Sequence, residues 1–361
     1  MINQEKLFIK YDATLLDTLK KMDAIRTKLL IIIKDNNRFC NLVSIGDVQR
    51  AIIKGHNLSD RLSEIIIDQK VVAKANDHPD SIKKLMDNIR ADFMPVLDED
   101  GELRNVIFRD YSSESRHEVK KLKNNIPVVI MAGGKGSRLK PISNIIPKPL
   151  IPIGEKTILE EIIDRFENSG SDKFYLSVNY KKEMIQYYLD SIGRTSNIEY
   201  FSEVKPLGTA GSLSLLKGKI NSTFYVTNCD ILIEQDLNDI HKYHVENNNE
   251  ITLVAALKII SIPYGTINSG VDGLLESIEE KPQLSFKINA GVYILEPHLL
   301  DEIPDGEFFH ITELIENVRK RDGRVGVFPI SEKSWLDIGE WPEYIKTVRY
   351  LDVDTNFYGL D

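Results

Sequence analysis

Cysteine is nearly missing from this chain. Its 361 residues include only Cys40 and Cys229, which are far apart and belong to no Cys-x-x-Cys pair. A disulfide scaffold and a cysteine-built zinc site are therefore excluded as expectations, and a reducing compartment fits. Long apolar runs are missing as well. The longest purely aliphatic run, Leu29 to Ile33, falls far short of the roughly 20 residues that span a bilayer. There is no surplus of positive charge: 46 Lys and Arg stand against 55 Asp and Glu, a formal net charge of -9. Broad binding to nucleic acid or to an anionic membrane needs a large basic face, so neither is expected. The opening Met1-Ile2-Asn3-Gln4-Glu5-Lys6 lacks a basic-then-apolar signal pattern, and the cytoplasm is the expected location. What remains is ordinary for a globular protein, with 42% hydrophobic and 28% charged residues. The length suggests two domains.

The first 115 residues carry a weak internal repeat. Asp17-Thr18-Leu19-Lys20-Lys21-Met22-Asp23 is echoed by Ser81-Ile82-Lys83-Lys84-Leu85-Met86-Asp87. Ile31-Ile32-Ile33-Lys34-Asp35 is echoed by Met94-Pro95-Val96-Leu97-Asp98, and Val43-Ser44-Ile45-Gly46-Asp47 by Ile107-Phe108-Arg109-Asp110. Each copy reads as an amphipathic helix, an apolar strand, a turn (Asp35-Asn36-Asn37, then Asp98-Glu99-Asp100-Gly101), a second strand and a second helix. A unit of this size cannot bury a core alone, so the two copies should pack together.

The two copies resemble a pair of cystathionine-β-synthase (CBS) motifs. In that family a Ser or Thr followed three positions later by Asp contacts an adenine nucleotide. Ser44 and Asp47 match that pattern. The second copy keeps Asp110 but has Phe108 in place of the hydroxyl. The resemblance thus implies an adenine nucleotide as a partner, with packing or dimerisation alone as the other reading, and it implies a homo-oligomer.

Residues 116–125 read as a polar linker. Before it, residues 1–115 hold 18 basic and 19 acidic residues, so the acidic surplus falls in the remainder. A phosphate substrate there would need a few well-placed cations.

Such cations are present. The apolar strand Pro127-Val128-Val129-Ile130-Met131-Ala132 runs directly into Gly133-Gly134-Lys135-Gly136-Ser137-Arg138-Leu139. A glycine-rich turn after a strand lies where parallel α/β sheets bind ligands, and its backbone N–H groups can converge on a phosphate. Taken alone it is also compatible with a plain tight turn. It is neither a P-loop nor a full dinucleotide fingerprint, because Leu139 stands where the third glycine would fall. Lys148 follows, held between Pro147 and Pro149 on backbone that proline stiffens. Then come Glu203-Val204-Lys205-Pro206-Leu207-Gly208-Thr209-Ala210-Gly211-Ser212, Val226-Thr227-Asn228-Cys229-Asp230, Glu279-Glu280-Lys281-Pro282, Ile288-Asn289-Ala290-Gly291-Val292-Tyr293 and Trp335-Leu336-Asp337-Ile338-Gly339.

This ordered series resembles the sugar-1-phosphate nucleotidyltransferases from Ile126 to about Tyr350. The resemblance implies an α/β fold, with a mostly parallel Rossmann-like nucleotidyltransferase sheet at 126–350 behind an N-terminal α/β CBS-pair domain at 1–115. A tail at 351–361 follows, without the left-handed β-helix that some relatives append. It implies an enzyme that joins a nucleoside triphosphate to a sugar 1-phosphate and releases pyrophosphate. With the CBS pair in front, the arrangement is most similar to guanylyltransferases that use GTP and glucosamine 1-phosphate for legionaminic acid precursors. Mannose-1-phosphate guanylyltransferases and uridylyl- or thymidylyltransferases are the alternatives, and a catalytically inactive nucleotide sensor is the rival from another class.

The implied roles follow residue by residue. Asp230 and Asp337 match the family's metal ligands, with Mg2+ as the implied cofactor. Arg138 and Lys148 match its cations on the triphosphate, and Lys281 its cation on the sugar phosphate. Ala132, Gly133, Gly134, Gly136, Ser137, Asn179, Glu203, Gly208 and Thr209 match nucleotide contacts, and Gly265, Glu280, Asn289 and Gly291 match sugar contacts. Read without the resemblance, Asp230 also suits a helix N-cap, Asp337 and Asn179 suit turns, and any one lysine suits a solvated surface. The cysteine at 229, where many relatives have glycine, is not expected to act as a nucleophile, because direct displacement needs no covalent intermediate. His241, His244, His298 and His310 show no carboxylate or second ligand at metal spacing, so helix-surface or helix-end roles are expected of them.

Overall fold

The computed structural model describes residues 4–34, 38–65, 67–89, 91–109, 125–203 and 205–351. Asp110, the turn at 35–37, Val204, most of the expected linker and the tail beyond residue 351 lie outside the described residues. The chain divides into two compact units, Met1–Val119 and Lys120–Asp361. Among the described residues no helix is long and apolar enough to cross a membrane.

The first unit contains β1 (Phe8–Lys10), α1 (Leu15–Ile25), β2 (Leu29–Ile33), β3 (Phe39–Ser44), α2 (Ile45–Ile53), β4 (Ala73–Lys74), α3 (Pro79–Ile89), β5 (Phe93–Leu97) and β6 (Leu103–Phe108). Two three-stranded sheets of this unit share one strand order. β1 lies parallel to β2 and β3 antiparallel to it, with a register shift at Ile32/Ile33. β4, β5 and β6 repeat that order, with the shift at Val96/Leu97. Leu7, Ile31, Ile33 and Leu42 from the first copy share one apolar cluster with Phe93 and Val106 from the second. Each copy thus supplies the surface the other needs to leave water. The helix starts are written locally: Thr14 with Asp17, and Ser44 with Asp47, form reciprocal capping boxes, each worth about 1 kcal/mol.

The second unit begins with β7 (Val128–Met131), β8 (Pro152–Ile153), β9 (Lys156–Thr157), α4 (Ile158–Asn168), β10 (Phe174–Val178), α5 (Lys182–Ser191), β11 (Ile198–Ser202) and the single turn α6 (Gly208–Gly211). It continues with β12 (Phe224–Asn228), β13 (Ile231–Ile233), α7 (Leu237–Glu246), β14 (Ile251–Ser261), β15 (Thr266–Ser269), β16 (Leu275–Glu279) and β17 (Gln283–Leu295). It closes with α8 (Ile311–Lys320), β18 (Val325–Ser331), β19 (Trp335–Asp337) and α9 (Trp341–Tyr350).

Seven strands form the central sheet in the order β11-β10-β7-β12-β17-β14-β18. β11, β10, β7 and β12 are mutually parallel, β17 is antiparallel to both its neighbours, and β14 is parallel to β18. The sheet is therefore mostly parallel, as expected, and the single antiparallel strand β17 makes it mixed. Val128, Val129 and Ile130 of β7 are all fully buried, as a central strand covered on both faces requires. One face carries the main core, where Val129, Tyr175, Phe224 and Val226 meet Leu299, Leu314 and Val318. On the sheet's other side Phe166 of α4 packs on Tyr225, their ring centroids 5.2 Å apart. This layered sheet fixes the ends of β7, β10 and β12 side by side, and the candidate site grows from those ends.

Candidate active site

β12 lies beside β7, with Asn228 in register with Met131. Both strands therefore finish at the same edge of the sheet. Past Asn228 the chain turns through Cys229 and Asp230 into β13, which pairs antiparallel with β19 so that Ile231 stands opposite Asp337. The Ile338 N–H donates to the Asp230 carbonyl at 2.8 Å. This two-stranded ladder brings the two distant aspartates to one place.

Gly339 marks where their charges meet. A methyl group added there would come 2.8 Å from Asp337 Oδ1, 3.2 Å from Arg138 Nη2 and 3.3 Å from Asp230 Oδ2. Asp337 Oδ1 accepts from the Gly339 N–H at 2.7 Å. Lys148 Nζ is ion-paired with Asp230 Oδ2, and its side chain is only 8% exposed. Burial pushes the Asp337 carboxyl above its ordinary value. The Gly339 N–H, Lys148 and Arg138 pull it down, while the charge on Asp230 pushes it further up. Two carboxylates and two cations thus converge around Gly339, where Lys148 is buried and Asp337 half-buried, and charge interactions there are stronger than in bulk water.

The glycine-rich loop forms one wall. The Ala132 N–H donates to the Ser177 carbonyl at 2.9 Å, which ties the end of β7 to β10. A methyl on Gly133 would lie 3.4 Å from Asn179 Cβ and 3.8 Å from Glu203 Oε1, so these three residues share a corner. Glu203 is anchored there, accepting from Ser177 Oγ at 3.2 Å and from the Leu207 N–H at 2.6 Å. Gly134 is exposed. Gly136 has φ +61°, and an added methyl would sit 3.0 Å from Lys148 Cβ and 3.3 Å from Ser143 Cβ. Only glycine takes both that backbone and that approach without strain. Ser137 opens a short 3-10 turn through Arg138 to Leu139, and Arg138 pairs with Glu340 Oε1 at 2.8 Å.

Gly208 and Thr209 have a packing role of their own. Gly208 has φ +81°, and a methyl there would press to 2.7 Å from the Phe309 carbonyl. Thr209 Oγ1 accepts from the Ile311 N–H at 3.0 Å, at the start of α8. Asn289 donates to the Tyr293 hydroxyl at 2.7 Å and accepts from the Gly291 N–H at 3.1 Å. A methyl on Gly291 would lie 2.7 Å from Asn228 Nδ2, which places this corner next to the end of β12.

Gly265, Glu280 and Lys281 sit elsewhere, on the exposed arm that β14, β15, β16 and β17 form. Gly265 approaches Glu280, whose Oε2 would lie 3.0 Å from an added methyl. The Lys281 N–H donates to the Tyr264 carbonyl at 3.2 Å. Among the described residues Lys281 makes no hydrogen bond or ion pair with Asp230 or Asp337, and it is exposed.

Sequence reasoning missed Glu340, Asn228 and the pivotal place of Gly339. Their only signal was adjacency to Asp337 and Asp230. The helix-end expectation holds for His310, the N-cap of α8, and needs correction for His244. His244 is buried and lies 2.9 Å from Thr252 Oγ1 and 3.0 Å from Glu296 Oε1. His298 lies 2.8 Å from Glu250 Oε2. These partners are remote in sequence, so local spacing could not show them. Glu250, His298 and Glu302 cluster closely enough for a metal, but Arg321 already bonds both carboxylates, which makes the group an ion-pair clamp. Cys229 is buried, and burial pushes its thiol up to about 12, so it is a poor nucleophile near neutrality.

In the first unit Ser44 caps α2, and its Oγ donates to Asp47 Oδ2 at 2.7 Å. Asp47 is 6% exposed and also meets Arg50 and Lys70. Burial alone would raise its carboxyl, but hydrogen bonds from Lys70 and Ser44 outweigh that and hold it below its ordinary value.

Comparison with known proteins agrees with the geometry. The chain spans 64% of the length of a mannose-1-phosphate guanyltransferase of Saccharomyces cerevisiae and is 31% identical to it over 240 residues, which make up 62% of this chain. It is 30% identical over 243 residues to a UTP–glucose-1-phosphate uridylyltransferase of Synechocystis, covering 61% of this chain and 62% of that one. Among solved structures, HddC from Yersinia pseudotuberculosis is similar with a TM-score of 0.50 and 28% identity, over 63% of this chain and 99% of that one. Residues 127–352 match the nucleotidyl transferase family model, and they contain the carboxylate pair, both of its cations and the glycine-rich loop. The chain belongs to the nucleotidyl transferase family.

Proposed function

We propose that the chain transfers a nucleotidyl group from a nucleoside triphosphate to a sugar 1-phosphate, with GTP and glucosamine 1-phosphate as the substrate pair. The observation that carries the reaction class is the convergence of Asp230, Asp337, Lys148 and Arg138 around Gly339. GTP rests on similarity to guanylyltransferases, with the Synechocystis uridylyltransferase keeping UTP as the alternative. Glucosamine 1-phosphate rests on the resemblance of the whole arrangement, and mannose 1-phosphate is its competitor.

In this reading an oxygen of the sugar phosphate forms a bond to the α-phosphorus, the bond from that phosphorus to the bridging β-phosphate oxygen breaks, and pyrophosphate leaves with the electron pair. The attacking phosphate is already mostly ionised near pH 7, since its second pKa is about 6, so no strong base is needed. The requirement is to hold polyanions together in line. Lys148 and Arg138 offset the triphosphate charge, the glycine-rich loop offers backbone N–H groups, and Lys281 on the arm offsets the sugar phosphate. Asn179 and Glu203 are assigned to reading the base, and Glu280, Asn289 and Gly291 to the sugar.

The donor set suits magnesium. Asp230 and Asp337 offer hard carboxylate oxygens at one place; burial pushes Asp337 up and the charge on Asp230 adds to it, and that added charge is what a divalent cation would relieve. Bound between the two aspartates, the ion would supply charge neutralisation at the α-phosphate.

The first unit is assigned in the same proposal to a tandem CBS pair that takes an adenine nucleotide, supported by its twofold strand order. The cytoplasm, where nucleoside triphosphates are abundant, is the proposed location. Pyrophosphate release with each triphosphate against a panel of sugar 1-phosphates and magnesium tests the reaction. Turnover with GTP and glucosamine 1-phosphate above every other pair is expected. No release with any pair would refute the enzyme, and a preference for UTP would refute only the guanylyl part.

A further inference from the structure

The cations at the centre of the site are already engaged. Lys148 pairs with Asp230 and Arg138 with Glu340, and Asp337 adds a further carboxylate beside them. Three carboxylates thus face two cations, and the cluster is itself negative. A nucleoside triphosphate brings about four negative charges near neutrality, most of them on its two outer phosphates. Arg138 meets such a ligand with its charge already shared with Glu340, and Lys148 is buried against Asp230. The outer phosphates need a cation of their own.

The glycine-rich loop has one to spare. Lys135 lies between Gly134 and Gly136, is exposed, and makes no hydrogen bond or ion pair among the described residues. Its place is anchored on one side, because a methyl on Gly136 would sit 3.0 Å from Lys148 Cβ and neighbouring Cα atoms are about 3.8 Å apart. On the other side the loop is open, since a methyl on Gly134 would meet nothing within 4 Å. The backbone N–H groups of Gly134, Lys135 and Gly136 donate to no backbone carbonyl among the described residues. Successive unused N–H groups in a turn that includes a left-handed residue, here Gly136 at φ +61°, form a concavity suited to an anion. Three unused donors and one unused charge therefore fall on consecutive residues.

We infer that Lys135 is a substrate-binding residue that holds the outer phosphates of the triphosphate, and with them the pyrophosphate that leaves. The identity of the ligand rests on the proposed function. Lys148, buried beside the aspartates, belongs to the α-phosphate, which leaves the more highly charged end to the exposed lysine of the same loop. Its ammonium is a point charge on a flexible stem, so it can follow a group that departs. Charge placed on the leaving group acts in both directions of the reaction.

Inorganic tripolyphosphate with magnesium is the probe, because it carries the outer phosphates without base or sugar. Calorimetry on the full chain should show binding to the native protein and about tenfold weaker binding to Lys135→Ala, with an unchanged melting temperature. Lys135→Arg should bind like the native chain. So should Lys320→Ala, which removes an equal charge from the C-terminal end of α8. No binding to the native chain, a Lys135→Ala variant that binds as tightly, or an equal loss in Lys320→Ala overturns the inference. In kinetic assays Lys135→Ala should raise KM for the triphosphate and, in the reverse reaction, KM for pyrophosphate, each about tenfold, while KM for the sugar phosphate holds. An equal rise in KM for the sugar phosphate overturns it, because the whole site would then have been disturbed. If no substrate pair turns over while binding still depends on Lys135, the nucleotidyl-transfer reading falls and the polyphosphate site stands.

Discussion

The two sides of the proposed substrate site differ in how they are held. On the triphosphate side Lys148 is buried and paired, Asp337 is locked to the Gly339 N–H, and the glycine-rich loop is fixed by contacts to β10. On the sugar side Glu280 and Lys281 ride on an exposed ribbon with no bond to that cluster among the described residues. Preorganised charge is worth most where the charge of the reaction develops, and rigidity is concentrated there. In the proposed reading the sugar side can be built loosely, because its substrate has to enter and leave.

The largest test of this contrast is Asp230→Asn. It removes a carboxylate from the buried cluster and leaves Lys148 without its partner, so kcat should fall on the order of 10²–10³-fold, read as pyrophosphate release. Lys281→Ala should instead raise KM for the sugar phosphate about tenfold with little change in the melting temperature, since the residue is exposed and paired to no carboxylate among the described residues. Equal effects of the two substitutions on KM and kcat would erase the distinction. A smaller effect is expected of Glu340→Gln, which frees Arg138 from its ion pair. KM for the triphosphate should change by a few-fold in either direction while KM for the sugar phosphate holds.

The smallest effect lies outside the site and sets the scale for purely structural charges. Hydrogen bonds from Arg321 hold Glu250 down to about 2, against an ordinary value of 4.5. A depressed carboxyl stabilises the fold fully above about pH 4.5, and that stability is lost as pH falls through about 2. Glu250→Gln should therefore cost about 1 kcal/mol at pH 7 and progressively less below pH 4.5, measured by denaturant unfolding. No effect on kcat is expected.

The parts of the site that were legible in the sequence are those written locally. A strand running into Gly133, Gly134 and Gly136 announces a sheet edge, and Pro147-Lys148-Pro149 announces a stiffly held cation. The helix starts at Thr14, Ser44 and Thr157 are likewise local, because a capping box closes within four residues. What could not be read depends on pairings between distant segments. The antiparallel insertion of β17 makes the sheet mixed, and no periodicity within β17 announces its direction. The His244–Glu296 and His298–Glu250 contacts join residues about 50 positions apart. Glu340 reaches Arg138 only because β19 delivers α9 beside the glycine-rich loop. Exposure of the arm was equally hidden, since the alternation of Leu284, Phe286 and Ile288 is the pattern of any half-buried strand.

The decisive measurement is a double-mutant cycle on Asp230→Asn and Asp337→Asn in the pyrophosphate-release assay. Because both carboxylates serve one cluster, the double variant should be about as slow as the slower single variant. Losses that multiply, as they would for two independent sites, would contradict the account, and so would full activity in either single variant.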